Sequence, residues 1–396
     1  MDPRDNPYTP NAGAKPPALV GRDAEMAAFE VLLSRLERGS PQQSMIMTGL
    51  RGVGKTVLLG ALREIAAARH WAAIDDEMSK NTPFATRAAL GCRRALLGLS
   101  PRHAWKARML RAAGVLKSLS ITYSVDSSIT AGFDVDATRG TADSGLLAED
   151  LSALFVALGE AAQEAGAGVV FLYDEIQYLK QAELEALIQA LHMTVQRSLP
   201  LTLVGAGLPQ IPRLAGEAKS YSERIFTFPV IGPLGAAAES ALTLPAERLG
   251  VTYEAGAAAH VIAYTEGYAY FIQEYGSIVW DTAADTVITL EDVQRGQVLM
   301  ETKLDANFFR VRAERATPRE LEYMRAMAEL GPDPHSAGEV AHLLGRETVQ
   351  LGATRSRLIE KGLLYAPTYG LAAFTVPQFD RYMKRDHPFP SGATGD

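Results

Sequence analysis

Cysteine, long apolar runs and excess positive charge are all scarce in this sequence. The single cysteine, Cys92, excludes an intrachain disulfide and a cysteine zinc site, which fits a reducing cytoplasm. No apolar run reaches membrane-spanning length, and the polar, proline-rich residues 1–17 predict no signal peptide. With 39 Lys and Arg against 46 Asp and Glu, the net charge is −7, so contact with nucleic acid would need a local basic patch. The seven histidines are scattered, which predicts no structural transition metal.

The chain is long enough for two or three domains. The 396 residues are 47% hydrophobic and 21% charged, as in ordinary globular proteins. Changes of pattern along the chain predict four parts. These are an extended N-terminal arm that lies over the first domain, an α/β core, a helical lid and a C-terminal domain, at residues 1–17, 18–231, 232–310 and 317–386.

The firmest motif fits the phosphate-binding pattern G-x-x-x-x-G-K-[ST]. It follows a short apolar run and precedes a helical pattern, which is the context that the motif needs. Its glycines let backbone N–H groups face a phosphate, and the following helix adds its positive end. Lys55 would contact the β- and γ-phosphates and Thr56 would hold Mg²⁺; the alternative is a glycine-rich turn with an exposed lysine. The predicted nucleotide-binding residues are Gly49, Leu50, Arg51, Gly52, Val53, Gly54, Lys55 and Thr56.

A second motif places two carboxylates after a strand. Residues 169–173 are all apolar or aromatic, as in a strand buried on both faces of a parallel sheet, and Asp174 and Glu175 follow them. Ligands bind at the carboxyl ends of such strands. We therefore predict that Asp174 holds Mg²⁺ through water and that Glu175 activates the water that attacks the γ-phosphate.

Three further features lie between and after these motifs, and two of them allow more than one interpretation. Polar and apolar residues alternate over 118–125 and 128–135, which predicts a β-hairpin at about 118–136 inserted into the core. Arginines recur between 82 and 118, either as a solvated face or as a nucleic-acid patch. The apolar run at residues 199–207 predicts the next sheet strand. In the P-loop ATPase family that these motifs resemble, a polar residue there senses the γ-phosphate; here it would be Thr202 or Gln210, and the sequence does not choose between them.

The C-terminal domain has the pattern of a winged helix-turn-helix. A capping box with proline starts its first helix at Thr317, and a third helix runs from Thr348 to Lys361. Because the third helix usually enters the major groove, Arg355, Arg357 and Lys361 are the predicted DNA contacts. Nine basic and nine acidic residues balance over this domain, so strong nonspecific affinity is not expected. Winged helices also bind proteins, which is the alternative.

Taken in order, these motifs resemble the AAA+-like P-loop ATPases of the origin-recognition initiator, archaeal-type and STAND neighbourhood, from about residue 18 to 386. Val20-Gly21-Arg22-Asp23 is similar to the adenine-side motif of that family, which implies nucleotide contacts from Val20 and Arg22. Arg224 stands where relatives carry an arginine finger for the neighbouring subunit, with a surface salt bridge as the alternative. The lid lacks the arginine that many relatives carry around residues 265–275.

The resemblance implies an α/β fold, in which a P-loop NTPase parallel sheet is followed by a helical lid and a C-terminal winged helix-turn-helix. It implies a cytoplasmic ATPase that binds ATP or ADP with Mg²⁺, hydrolyses ATP slowly and acts as a nucleotide-dependent switch. The implied partners are double-stranded DNA and a second copy or another protein, with no membrane. The alternative function is an ATP-gated signalling scaffold without DNA binding. A small-molecule kinase is disfavoured, since nothing resembles an acceptor site.

Overall fold

The computed structural model describes residues 1–99, 107–126, 130 and 133–389. A five-stranded parallel sheet lies at the centre of the core, in the order β2-β3-β4-β1-β5. The long apolar runs of the sequence form its middle strands, which are buried on both faces as expected for a parallel sheet. The strands are β1 Ser44–Thr48, β2 Ala72–Glu77, β3 Val169–Asp174, β4 Leu201–Gly207 and β5 Phe226–Thr227. The predicted α/β class is confirmed.

Helices cover both faces of this sheet. One face packs on α1 (Asp23–Glu37) and α2 (Lys55–Ala68), the helix that follows the phosphate-binding motif. The other face carries the larger cluster of buried side chains. Its helices are α3 Phe84–Leu99, α4 Ala107–Thr122, α5 Leu147–Ala165, α6 Gln181–Gln196, α7 Ile211–Ala218 and α8 Ser222–Ile225.

The predicted β-hairpin at 118–136 is wrong. Its first half belongs to α4, and residues 133–135 form no strand; residues 127–129, 131 and 132 lie outside the described part. The alternation misled because two serines of this segment, Ser118 and Ser120, are buried rather than exposed. Ser118 and Ser120 donate their hydroxyls to carbonyls one turn back, those of Gly114 at 3.2 Å and Leu116 at 2.8 Å. A serine whose hydroxyl bonds within its own helix can lie on the buried side of that helix. The alternation of serine with apolar residues therefore did not mark the exposed face of a strand.

The lid is helical, with one short pair of parallel strands. Its elements are α9 Ala238–Glu247, β6 Thr252–Tyr253, α10 Ala255–Thr265, α11 Ala269–Thr282, β7 Val287–Ile288 and α12 Leu290–Leu304. A π-helix, Asp305–Phe309, and the short α13, Arg310–Ala313, connect it to the C-terminal domain.

The C-terminal domain combines four helices with a three-stranded antiparallel sheet of order β8-β10-β9. The predicted capping box is present, since the Thr317 hydroxyl accepts from the backbone N–H of Glu320. The elements are α14 Pro318–Leu330, β8 His335–Ser336, α15 Ala337–Leu343, α16 Thr348–Glu360, β9 Leu364–Tyr365, β10 Leu371–Phe374 and α17 Phe379–Asp386. Buried side chains of the lid and of this domain form one continuous cluster. The two parts therefore share a core.

The N-terminal arm lies mainly on the lid, which corrects the expectation that it covers the first domain. Tyr8 is buried, and its hydroxyl donates to the Leu242 carbonyl at 2.7 Å. Trp280 Nε1 donates to the Asp2 carbonyl at 3.0 Å. The arm reaches the core at Lys15, which pairs with Glu64 at 2.5 Å. It therefore spans from lid to core.

Over the described ranges, no helix combines the length and apolarity needed to cross a membrane. The same residues contain no group of three or more His, Cys, Asp or Glu side chains arranged to hold a metal ion.

Candidate nucleotide-binding site

The phosphate-binding loop connects β1 to α2, as the sequence predicts. Gly54, just before the helix, has φ +93°, a left-handed conformation that favours glycine. Gly49 allows a close approach, because a Cβ there would lie 2.2 Å from the Ile231 carbonyl oxygen. The loop is thus held in a tight curve, with its N–H groups at the start of a helix.

Lys55 is half-buried within this loop. Its Nζ donates to the carbonyls of Gly49 and Leu50, at 2.8 Å each. Burial lowers the pKa of Lys55 to about 8, while the nearby Glu175 and Asp174 carboxylates act in the opposite direction. The ammonium is therefore charged at neutral pH and lies where the motif places a phosphate.

The two predicted magnesium ligands lie together. Thr56, in the first turn of α2, donates its Oγ1 to Asp174 Oδ2 at 2.5 Å, although 118 residues separate them. Mg²⁺ prefers oxygen ligands and usually takes only one or two from protein carboxylates, with substrate phosphates and water completing the shell. The donor set at this corner of the sheet fits that ion.

Glu175 begins the turn after β3 with a left-handed backbone, φ +52°. Its carboxylate accepts a hydrogen bond from Gln177 Nε2 and lies 3.6 Å from the Arg51 guanidinium. Gln177 Oε1 in turn accepts the Leu208 N–H at 3.2 Å, at the end of β4. Gln177 is thus a polar link between the two strand ends that the sequence analysis missed. The only sequence signal was its position two residues after the Asp-Glu pair.

The two residues expected to sense the γ-phosphate do not lie at the cavity. Thr202 lies in the first half of β4, where its hydroxyl is 2.9 Å from that of Ser44 at the start of β1. This is the end of the sheet away from the loop. Gln210 precedes α7 and is absent from the cavity wall.

A cavity of about 660 Å³ opens beside the loop, and Lys55, Thr56, Asp174 and Glu175 all line it. Val20 and Arg22 line it as well, as the resemblance implies. Arg22 is buried, and it donates to the carbonyls of Val53 at 3.0 Å and Gly232 at 2.6 Å. Its side chain therefore braces the loop, while its role at a base remains a prediction.

The opposite wall consists of residues that the sequence analysis did not find. The backbone N–H of Tyr270 donates to the Gly52 carbonyl at 3.0 Å, which joins α11 to the loop. No motif indicated these residues, because they come from separate segments. They are Thr9, Pro10, Asn11, Ala12, Gly13, Ala14, Leu234, Gln273, Glu274, Lys303, Asn307, Phe308 and Arg312. The lid motif lacks an arginine, but Arg312 brings one from farther along the chain.

The three predicted DNA contacts all bond within the C-terminal domain. Arg355 donates to the Leu371 carbonyl at 2.6 Å. Arg357 and Lys361 lie 3.4 and 2.6 Å from the carboxylate of Glu320, which is fully buried. Burial alone would raise the pKa of Glu320, but the Lys361 ammonium and the Thr317 cap hold it below its ordinary value. Arg357 and Lys361 therefore neutralise an internal charge.

Arg224 lies outside the cavity wall, with its side chain 82% exposed and 3.8 Å from Glu223. A role in a neighbouring subunit remains a prediction.

The C-terminal domain contacts the phosphate-binding loop directly. The backbone N–H of Arg51 donates to the Thr375 carbonyl at 3.0 Å, and its side chain donates to the Tyr178 hydroxyl at 3.2 Å. Lys80, after β2, donates to the Glu360 carbonyl at 2.8 Å. The end of α16 therefore lies against the segment after β2, and the residue that follows β10 lies against the phosphate-binding loop.

Two family models match the chain. The AAA ATPase domain matches residues 18–204, and a domain of unknown function (DUF8462) matches residues 306–383. Comparison with the curated proteins found no match.

Solved structures with a similar fold include three proteins at low identity. They are Aeropyrum pernix Orc1 in complex with DNA (15% identity, TM-score 0.45, 94% of each chain), the Thermotoga maritima RuvB Holliday junction branch migration motor (15%, 0.42, 92% of this chain and 94% of that one) and Pyrobaculum aerophilum Cdc6p (14%, 0.42, 97% of each). TM-scores this low assign neither residue roles nor partners to this chain. The interpretation of the cavity as a nucleotide site therefore rests on the family model and on the geometry of the site.

Proposed function

We propose, from the premise that residues 18–204 form an AAA ATPase domain, that the protein binds ATP with Mg²⁺ and hydrolyses it slowly. The nucleotide state would set how the lid and the C-terminal domain sit on the core. The observation that carries the proposal is that Lys55, Thr56, Asp174 and Glu175, from two distant segments, line one cavity.

Each residue has a role that its surroundings support. Lys55 and the loop N–H groups would bind the phosphates, and Thr56 and Asp174 would hold Mg²⁺, which would neutralise phosphate charge when bound. Glu175 would accept the proton of the attacking water. Gln177 donates to Glu175 and Arg51 lies beside it, so both contacts hold the carboxylate at the end of β3.

The test is nucleotide binding and ATP turnover in three variants. Lys55→Ala should lose ATP binding. Glu175→Gln should bind ATP normally but turn over about 100-fold more slowly, since general-base catalysis contributes roughly that factor. The matched control is Glu217→Gln, an exposed carboxylate in α7, which should behave as wild type. Normal turnover by Glu175→Gln would show that another group is the base.

A second candidate function is DNA binding by the C-terminal domain. What favours it is the order of the elements, in which α15 and α16 are followed by two antiparallel strands, as in a winged helix. The exposed start of α16, at Thr348, Val349 and Gln350, would have to contact DNA, because Arg357 and Lys361 face Glu320. If the domain binds protein instead of DNA, the same exposed start of α16 would contact that protein.

Gel shifts at several salt concentrations test this candidate. Val349→Glu places a negative charge on a side chain that is 92% exposed, and we expect it to weaken DNA binding about tenfold by repelling phosphates. The control is Val298→Glu, which places the same charge on α12 at a residue 65% exposed, and which should have no effect. No shift of the wild type at low salt would exclude DNA and favour the protein partner.

A further inference from the structure

Arg312 is a half-buried cation without a carboxylate partner. It lines the nucleotide cavity, and its guanidinium lies 3.9 Å from the centre of the Phe308 ring. Its Nη1 donates to the Phe308 carbonyl at 2.5 Å. Among the residues that the structure describes, none forms an ion pair with it within 4.0 Å. Burial and the nearby Arg51 lower the pKa of Arg312 to about 10, so it remains charged at neutral pH.

Each of the other side-chain cations that line this cavity has either a carboxylate neighbour or at least two backbone acceptors, as Lys55 has in the Gly49 and Leu50 carbonyls. Lys303 pairs with the buried Glu274, and Arg51 lies beside Glu175. Arg22 donates to two backbone carbonyls. A charged group in a partly buried site is costly unless an opposite charge meets it. Arg312 therefore fits an anion that comes from outside the chain.

The position of Arg312 is fixed relative to the phosphate-binding loop. It follows the π-helix, a widened turn that often occurs at functional sites. The Phe308 ring beneath the guanidinium stacks on Tyr270, with centroids 4.9 Å apart. The Tyr270 N–H in turn donates to Gly52. Arg312 is thus connected to the loop through a rigid aromatic contact.

Its neighbours show which part of a nucleotide it would reach. Arg51 is its charged neighbour, and Arg51 lies beside Glu175, the proposed base. The resemblance places the base of the nucleotide near Val20, elsewhere on the wall. An anion between Arg51 and Arg312 would therefore be a terminal phosphate.

We propose that Arg312 binds the terminal phosphate of the nucleotide in its own chain and so distinguishes ATP from ADP. The assignment rests on the proposed function. Arg312 would also connect the nucleotide to the C-terminal domain through Arg315, three residues farther along the chain. The Arg315 carbonyl accepts from Lys361 Nζ at 2.9 Å, and the Arg315 guanidinium donates to the Lys361 carbonyl at 3.3 Å.

The test measures the affinities for the β,γ-imido analogue of ATP and for ADP, both with Mg²⁺, by calorimetry. Arg312→Ala should weaken binding of the ATP analogue about tenfold or more, which is the usual size of a charge-assisted hydrogen bond, and should change ADP binding less than about threefold. Arg312→Lys should recover part of the loss. The matched control, Arg310→Ala, removes an exposed arginine of the same helix and should leave both affinities unchanged.

Thermal unfolding without nucleotide checks that each variant is folded, and unfolding with the ATP analogue should show a smaller upward shift for Arg312→Ala than for wild type. Equal losses for both nucleotides, or no loss, would overturn the role of Arg312 while leaving the proposed function intact. Failure of the wild type to bind either nucleotide would overturn the proposed function and this role together.

Discussion

The two walls of the nucleotide cavity are built in different ways. The core wall comes from one loop and one strand end, and its reactive groups lie within residues 49–56 and 174–175. The opposite wall comes from the arm, α11, α12, the π-helix and α13, and it brings together residues as distant in the chain as Thr9 and Arg312. The core wall holds the groups that we propose for phosphate chemistry, and the opposite wall holds the groups that join the cavity to the rest of the molecule.

The difference extends to how each wall is supported. The core wall is supported by the parallel sheet. The opposite wall belongs to the cluster that the lid shares with the C-terminal domain, where the Phe309 ring lies 5.4 Å from Tyr382 and 5.9 Å from Phe379. A movement of the opposite wall would therefore move the C-terminal domain as well. Lid and C-terminal domain would turn as one body on the core.

The largest expected effect comes from removing the anchor of the arm. Tyr8→Ala deletes a buried ring that packs in the space left by Gly276 and leaves the Tyr253 hydroxyl without its 2.8 Å partner. We expect a loss of about 3–5 kcal/mol in the free energy of unfolding of the lid, the usual cost of an aromatic-to-alanine change in a core. Denaturant unfolding measures it, and calorimetry should show weaker ATP binding as the arm leaves the cavity.

Two variants sharpen this result. Tyr8→Phe keeps the ring and removes the hydrogen bonds, so it should cost only about 1 kcal/mol. Tyr369→Ala is the control, because that ring is fully exposed and its loss should change stability by less than about 0.5 kcal/mol. If Tyr8→Ala unfolds like wild type, the arm does not support the opposite wall and the contrast between the walls fails.

The core wall could be predicted from the sequence because its chemistry fixes local spacing. A phosphate loop needs its glycines and its lysine within eight residues, and a buried strand followed by Asp174 and Glu175 gives a clear apolar pattern. The capping box at Thr317 and Glu320 is likewise local, since one helical turn contains both partners. Such signals do not depend on the rest of the fold.

The opposite wall could not be predicted, because its contacts join residues far apart in the chain. Nothing near Arg312 indicates that it lines the same cavity as Arg51, and nothing near Tyr8 indicates a place beside Gly276. The buried serines of α4 show a further limit, because hydroxyl groups that bond to their own helix imitate a strand pattern. The pairing of Glu320 with Arg357 and Lys361, two of the predicted DNA contacts, is another contact between distant residues that the sequence did not indicate.

A smaller effect should come from the charge that organises the C-terminal domain. Glu320→Gln leaves Lys361 and Arg357 without their buried partner, and we expect it to lower the free energy of unfolding by about 1–3 kcal/mol at pH 7. Glu322→Gln, a partly exposed carboxylate two residues away that pairs with Arg346, is the control and should cost less than about 1 kcal/mol. ATP turnover should stay near the wild-type rate, because the core wall is unchanged.

The pH dependence of this difference tests its cause. In the folded protein the pKa of Glu320 lies below its ordinary value of 4.5, so the ionised carboxylate is favoured by folding. Its contribution is fully present above the unfolded pKa, near 4.5, and is lost as the pH falls through the lower folded pKa. The gap in unfolding free energy between wild type and Glu320→Gln should therefore be constant from pH 7 to about pH 5 and should narrow below pH 4.5. A gap that stays constant to pH 3 would mean that the cost comes from packing rather than from charge.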